Sequence, residues 1–237
     1  MPRPRVFLES LPPPGEPVRL SAEEASHVRA RRLRPGDGIV LFDGTGREAR
    51  GRVARASRAA VEVVADDLAA RAAEEASVTL YVAAVRAERL AWTVEKAVEL
   101  GVTRIEIVRA ERSQGFRASA ALADRLARVA RAAAKQIGAA RAPEISGPVP
   151  APDAFAREPA PRRLLLDAAG APFPASLPPG DAALAIGPEG GWTASERSRA
   201  LAAGWTAARL PAGALRAETA AVAGLVLLRA ALARGAA

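Results

Sequence analysis

The 237-residue chain has no cysteine. That excludes disulfides, thiolate metal sites and cysteine nucleophiles. A single histidine, His27, is too few for a His-based metal cluster, so no metal is expected. Long apolar runs are also missing. The longest, near Thr219 to Leu228, falls well short of the ~20 residues that cross a bilayer. The start, Met1-Pro2-Arg3-Pro4-Arg5-Val6-Phe7, has neither the apolar stretch nor the small-residue cleavage site of a signal peptide. The expectation is a cytoplasmic protein with no membrane contact. Lysine is nearly absent, with Lys96 and Lys135 alone, yet Lys+Arg total 34 against 26 Asp+Glu, a net charge of +8. A pI near 11.2 suits a polyanionic partner. An Arg-for-Lys bias with abundant Ala is also what a GC-rich genome produces, so charge supports such a partner without requiring it.

Half of the residues are hydrophobic, ample for a stable core. The first part reads as a small β-rich domain over residues 1–70. Short apolar or alternating runs at Arg5–Leu8, Gly38–Phe42, Glu48–Val53 and Ala60–Val64 are punctuated by Pro35-Gly36-Asp37-Gly38 and Asp43-Gly44-Thr45-Gly46. Ser21 and Glu24 predict a capping box opening a helix that runs to about Arg32. Asp67 to Glu75, charged and Ala-rich, reads as a linker. From residue 76 to 237 strands and helices alternate, as in a parallel α/β sheet. Strands are expected at Ser77–Val85, Thr103–Val108, Arg163–Asp167, Ala182–Gly187 and Thr206–Leu210. Helices are expected at Glu88–Leu100, Ser119 to about Gly138, Ala194–Ala203 and about Ala217–Arg234, with a Pro-rich stretch before Arg163 left without an element.

Two segments carry the chemistry. Ile186-Gly187-Pro188-Glu189-Gly190-Gly191-Trp192-Thr193 leaves a buried strand and leads into a helix. Ligands of parallel sheets sit at the C-terminal strand ends, and glycines there let backbone approach them. An ordinary Gly-rich turn, with Thr193 or Ser195 capping the next helix, would read the same way. Leu210-Pro211-Ala212-Gly213-Ala214-Leu215-Arg216-Ala217-Glu218-Thr219-Ala220 likewise follows a strand and opens a helix. Glu218 and Thr219 could merely cap that helix and complement its dipole. Two ligand-type loops after neighbouring strands of one sheet make the bland reading harder to hold for both. His27 reads as a surface or capping residue, and Asp43-Gly44-Thr45-Gly46 as a hairpin turn. Arg125, Arg128, Arg131 and Lys135 share one face of a long helix, either solvated or an RNA track. Arg29, Arg31, Arg32, Arg34, Arg47, Arg50, Arg52, Arg55 and Arg58 form a second basic region.

Together these segments resemble the SPOUT methyltransferases and, within them, the RsmE family, which methylates N3 of a uridine in 16S rRNA. The resemblance extends to Glu95-Lys96-Ala97-Val98-Glu99-Leu100-Gly101-Val102, Glu111-Arg112-Ser113, Ala134-Lys135-Gln136, and Ser26-His27-Val28 through Arg34-Pro35-Gly36-Asp37, in order over nearly the whole chain. It departs at Gly213, where the family has Arg, and at Ala217, Ser26 and Lys135, where Thr, His and Glu are usual. The resemblance implies an N-terminal PUA-like β-barrel, a trefoil-knotted parallel-sheet domain, a homodimer, and the small ribosomal subunit or its 16S rRNA as partner. The cofactor implied is S-adenosylmethionine, with Leu166, Gly187, Glu189, Gly190, Gly191, Leu210, Leu215 and Arg216 around it. Arg216, Glu218 and Thr219 are the implied catalytic residues, and Arg29, Arg31, Arg32, Arg34 and Arg112 the expected RNA contacts. The alternatives are a SPOUT enzyme acting on another base or a ribose 2′-OH, and a non-catalytic RNA-binding assembly factor. A Rossmann-type methyltransferase is disfavoured, since no Gly-x-Gly loop joins a first strand to a helix.

Overall fold

The structure, a computed structural model, describes residues 3–57, 59–70, 76–139 and 141–236. The described chain forms two compact units. The first comprises Met1–Ala73 together with Arg131–Ala142, and the second Glu74–Ala130 with Pro143–Ala237. Arg58 and residues 71–75, the end of the expected linker, lie outside the described residues.

The first unit is built on a six-stranded sheet among the described residues. Strands β1 (Arg5–Phe7), β3 (Gly38–Phe42), β4 (Arg47–Ala56), β5 (Val61–Ala65) and β2 (Pro17–Arg19) are neighbours in that order, and β6 (Ala69–Ala70) pairs with β4. β4 shows why the sheet forms. Ala49, Gly51 and Val53 point inward while Arg50 and Arg52 face solvent, the period of two that a half-buried strand requires. Gly51 is needed for a close approach, because a Cβ there would stand 2.5 Å from the Val64 carbonyl oxygen. The β3–β4 hairpin turns on Asp43, whose Oδ1 accepts from the Thr45 amide at 2.9 Å and its hydroxyl at 2.7 Å. Helix α1 (Ala22–Ala30) buries Ala25 and Val28 among Val6, Ile39, Leu41 and Val63. Ser21 caps it, but the capping box is half-formed. Glu24 turns its carboxylate to Lys135 instead of returning to Ser21, since a buried charge is better matched by an ammonium than by an amide.

The second unit is a six-stranded parallel sheet among its described residues, in the order β12-β10-β11-β7-β8-β9. The strands are β7 (Val78–Ala83), β8 (Arg104–Arg109), β9 (Glu144–Pro150), β10 (Arg162–Pro172), β11 (Ala182–Ile186) and β12 (Thr206–Arg209). β7 and β11 are buried along their whole length, as strands covered on both faces must be. Helices α2 (Ala87–Glu99) and α6 (Ala217–Gly235) pack on each other, as do α4 (Ala151–Arg157) and α5 (Ala194–Ala202). Helix α3 (Ala120–Ile137) completes the set. Four of the nine aromatic side chains gather in one place. Tyr81 meets Trp205 edge-on at 5.3 Å, and Phe155 lies 5.2 Å from Trp205 and 5.3 Å from Trp192. β9 and α4 occupy the stretch left without an element, because its prolines sit at an edge strand and a helix start, where no amide is demanded.

His27, half-buried on α1, gives the first unit a pH signature. Burial, then the charges of Lys135 and Arg31, hold its pKa below the ordinary 6.5 against a smaller pull from Glu24. Between that lowered value and 6.5 the unfolded chain binds the proton more readily than the folded one. The stability owed to the neutral ring is therefore complete above pH 6.5 and declines as pH falls toward the folded value. Urea titrations at about pH 7.5 and about pH 5.5 should show the wild type losing more stability over the drop than His27→Gln. Equal losses would refute the assignment.

Candidate active site

Because the sheet is parallel, β10, β11 and β12 run the same way, and the irregular stretch of β10 together with the exits of β11 and β12 surrounds a cavity of about 500 Å3. That volume suits a small ligand. Leu166, Asp167 and Ala168 come from the middle of β10, residues 187–192 from the loop after β11, and Arg209, Leu210 and residues 212–215 from the end of β12 and the loop after it. The register between β10 and β12 slips between Leu166 and Ala171. That slip frees Asp167 and Ala168 from the ladder and turns them to the cavity wall. Of the sequence-expected cofactor residues, Leu166, Gly187, Glu189, Gly190, Gly191, Leu210 and Leu215 all line this cavity.

The loop after β11 is held from within. Trp192 is 7% exposed, and its indole N–H donates to the Leu166 carbonyl at 3.1 Å. Gly187 makes room for that ring, since a Cβ there would sit 3.1 Å from it. Gly191 has φ +67, the left-handed region that favours glycine. Downstream, Thr193 caps α5 in a full capping box. The cap and the ligand loop are thus compatible readings of one segment. Glu196, 1% exposed, accepts from the Thr193 amide at 2.9 Å with one oxygen and from the Glu111 amide at 2.8 Å with the other. This draws the Glu111-Arg112-Ser113 segment to the loop. Arg112, expected as an RNA contact, donates to the Gly190 carbonyl at 2.6 Å and lines the cavity.

The candidate catalytic residues stand beside the cavity and not in its wall. Arg216 is the N-cap of α6 and is exposed, between Leu215 and Ala217, which do line it. Thr219 is exposed as well. Glu218 turns to Arg89 of α2, 3.7 Å away, and Arg89 also pairs with Glu189 of the first loop. Sequence reasoning missed Arg89 and Glu196, since nothing in their spacing marks a partner about a hundred residues away. The remaining expected RNA contacts lie on the first unit. Arg29 donates to the Ser57 carbonyl at 3.2 Å, Arg31 and Arg34 are exposed, and Arg32 adopts φ 56. Arg50 and Arg52 pair with Asp67 and Asp66. On α3, Arg125 and Arg128 are exposed, while Arg131 lies 5.1 Å over the Phe7 ring. Among the described residues no His, Asp and Glu cluster could hold a metal, and no helix is long and apolar enough to cross a membrane.

A parallel sheet whose neighbouring exits cradle one cavity with bare glycine backbone, following a β-rich unit, defines the class. Residues 73–229 match the model of an RNA methyltransferase domain, and residues 20–66 that of an RNA methyltransferase PUA domain. The chain is 30% identical to the ribosomal RNA small subunit methyltransferase E of Mycobacterium bovis, over 92% of this chain and 88% of that one. It belongs to the ribosomal RNA small subunit methyltransferase E family, RsmE. A crystal structure of such an enzyme from Neisseria gonorrhoeae, bound to S-adenosyl methionine, superposes with a TM-score of 0.84 at 28% identity, covering 96% of this chain and 97% of that one. A methyltransferase from Legionella pneumophila in complex with the cofactor SAM gives 0.86 at 28% identity, covering 98% of both.

Glu196 offers a direct check on how the loop is held. Glu196→Ala leaves the Thr193 and Glu111 amides without their acceptor, which should cost about 1–3 kcal/mol. Chemical denaturation of the variant measures it, and a loss below about 0.5 kcal/mol would show that water replaces the carboxylate at no expense.

Proposed function

We propose that this chain transfers a methyl group from S-adenosylmethionine to N3 of a uridine in 16S rRNA of the small ribosomal subunit. The observation that carries the reading is the convergence of Leu166, the Gly187–Trp192 loop and the Leu210–Leu215 loop on one cavity. The residues suit the donor. Gly187, Gly190 and Gly191 offer backbone without side chains in the way. Leu166, Leu210 and Leu215 give apolar surface for an adenine or methylene, and Glu189 and Asp167 supply carboxylates for amino or hydroxyl groups. When bound, the donor supplies a methyl group already activated on a sulfonium, so the protein's task is alignment and exclusion of water.

Uracil N3 is a weakly acidic imide nitrogen and must lose its proton to become a nucleophile. Arg216 stands where that can be assisted. Arg216 is the N-cap residue of α6, so in this reading its charge and the helix dipole act together on charge developing at the uracil carbonyls. The exposed Thr219 hydroxyl is the group this reading assigns to orienting the base. Glu218 acts through Arg89, keeping the first turn of α6 in register with the Glu189 loop. Arg29, Arg31, Arg32 and Arg34 contact RNA backbone, and Arg112 shapes the cavity through Gly190. The target base must be unpaired or extruded to present N3. A ribosomal RNA substrate supports a cytoplasmic location.

The homodimer reading draws on Trp92 and Val226, 43% and 48% exposed on the mutually packed α2 and α6. Sedimentation at twice the 24.5 kDa chain mass is expected, and a monomer at micromolar concentration would remove it. Arg216→Ala should lower turnover roughly 100- to 1,000-fold while calorimetry finds donor affinity little changed. Collapse of donor binding with normal turnover at saturation would contradict the assigned role. Mass spectrometry of digested 16S rRNA from a deletion strain should lack one 3-methyluridine that this chain restores. An unchanged modification profile would overturn the function.

A further inference from the structure

We infer that the first unit contains a phosphate-binding cleft, formed by Arg3, Arg5, His27, Arg31 and Lys135, that seats a backbone phosphate of the RNA substrate. The inference rests on RNA being the substrate, as argued above. The cleft has a volume of about 570 Å3, and three separate stretches of chain supply its cations: the entry to β1, helix α1 and the last turns of α3. Glu23 is the one acidic side chain among the described residues of its wall.

Two of these cations are fixed in advance. Arg5 donates from Nη2 to Glu48 at 2.9 Å and to the Ala139 carbonyl at 3.3 Å, and Lys135 pairs with the buried Glu24. Arg3 and Arg31 have no ion pair with any described residue, and both are exposed at the mouth. Two further atoms in the wall are unsatisfied: Arg5 Nε and His27 Nε2 are buried with no hydrogen-bond partner. Buried polar groups are nearly always paired. Arginine Nε is a donor only, so the partner it lacks is an acceptor. His27 Nε2 becomes a donor in one neutral tautomer and in the imidazolium. An oxyanion with several acceptor oxygens answers both orphans and the charge of Arg3, Arg31 and Lys135 together. Glu24 Oε2, also without a partner, belongs to the wall of a neighbouring cleft.

Lys135 brings the cation of α3 to the cleft, and a carboxylate in its place would face Glu24 and add a second negative charge to the wall. Arg29, Arg32 and Arg34, exposed on the same unit, add further positive charge that a repeating phosphate chain can meet.

Arg31→Ala, Arg3→Ala and Lys135→Met in the full chain test the cleft by fluorescence anisotropy with a 16S rRNA fragment over a salt series. Each should weaken binding several-fold and reduce the slope of log affinity against log salt by about one, with donor affinity by calorimetry as in the wild type. Arg3 and Arg31 are exposed, so those two variants keep the test valid if Lys135→Met fails to fold. In parallel, the His27 ring resonances of the wild type are followed by NMR as inorganic phosphate is added, and they should shift saturably. Unchanged affinity and slope in Arg31→Ala and Arg3→Ala would overturn the proposal. Shifts of His27 with phosphate, but no effect of the variants on RNA, would assign the cleft to a free anion and overturn the RNA contact. A wild type that binds no RNA at all would defeat the functional reading, and the phosphate titration would then decide the cleft alone.

Discussion

The candidate site depends on one buried ring. Trp192 belongs to the loop that leaves β11, yet its side chain lies in the core against Phe155, and its N–H is spent on the Leu166 carbonyl in the middle of β10. A loop of glycines is otherwise the least ordered backbone a protein can offer. Fastening it by a side chain of this size, worth about 3–5 kcal/mol on truncation, converts flexible chain into a fixed wall. The fastening dictates the sequence before it, because Gly187 must lack a side chain for the indole to pass. The Arg89 pairs with Glu189 and Glu218 cannot do this work. The Arg89–Glu189 pair, 33% and 56% exposed, contributes about 0–1 kcal/mol, and Arg89 stands 3.7 Å from Glu218, beyond hydrogen-bond reach. Their part is alignment of two loops already held elsewhere.

Most regular elements were legible because each repeats a local pattern. The alternation of Ala49, Gly51 and Val53 with Arg50 and Arg52 marks a strand, and Gly101, at φ +74, marks the end of α2. The two cavity loops were legible for a related reason, since glycine after a buried strand has few uses. What escaped reading is long-range. Glu196 looks like a routine N3 residue of a capping box, and only the fold reveals its second acceptance from Glu111. Glu24 looked like the partner of Ser21 until Lys135, 111 residues away, claimed it. For Arg112, expected as an RNA contact, only the fold reveals the bond it gives to the Gly190 carbonyl. Helix α4 was hidden by Pro150 and Pro152, which break a helix in its interior and begin one at its first turn.

The cavity also shows how a parallel sheet gains a binding site at small structural expense. β10 abandons its ladder with β12 for a few residues and resumes it at Ala171 and Pro172. Gly170 permits the return, because a Cβ there would fall 2.6 Å from the backbone of Ala207 and Ala208. The excursion moves Asp167 and Ala168 out of the sheet plane while leaving the strand order untouched. On the other side Gly224 lets α6 lie against Leu166 and Leu184, so that the helix bearing Arg216 is seated on the strands whose ends form the wall.

The first unit is not a continuous piece of sequence, and this bears on how the polypeptide is made. Residues 131–142 return to it after a long excursion. They bring Arg131 to the Phe7 ring, Lys135 to Glu24, and the Ala142 amide to the Gly44 carbonyl at 3.1 Å. During synthesis the N-terminal strands emerge well before these residues, so a buried carboxylate waits for its ammonium until more than half the chain has left the ribosome. A gene cut after residue 73 would therefore encode an incomplete fold, whereas a circularly rearranged one that joins residues 131–142 to the N-terminal stretch would restore it.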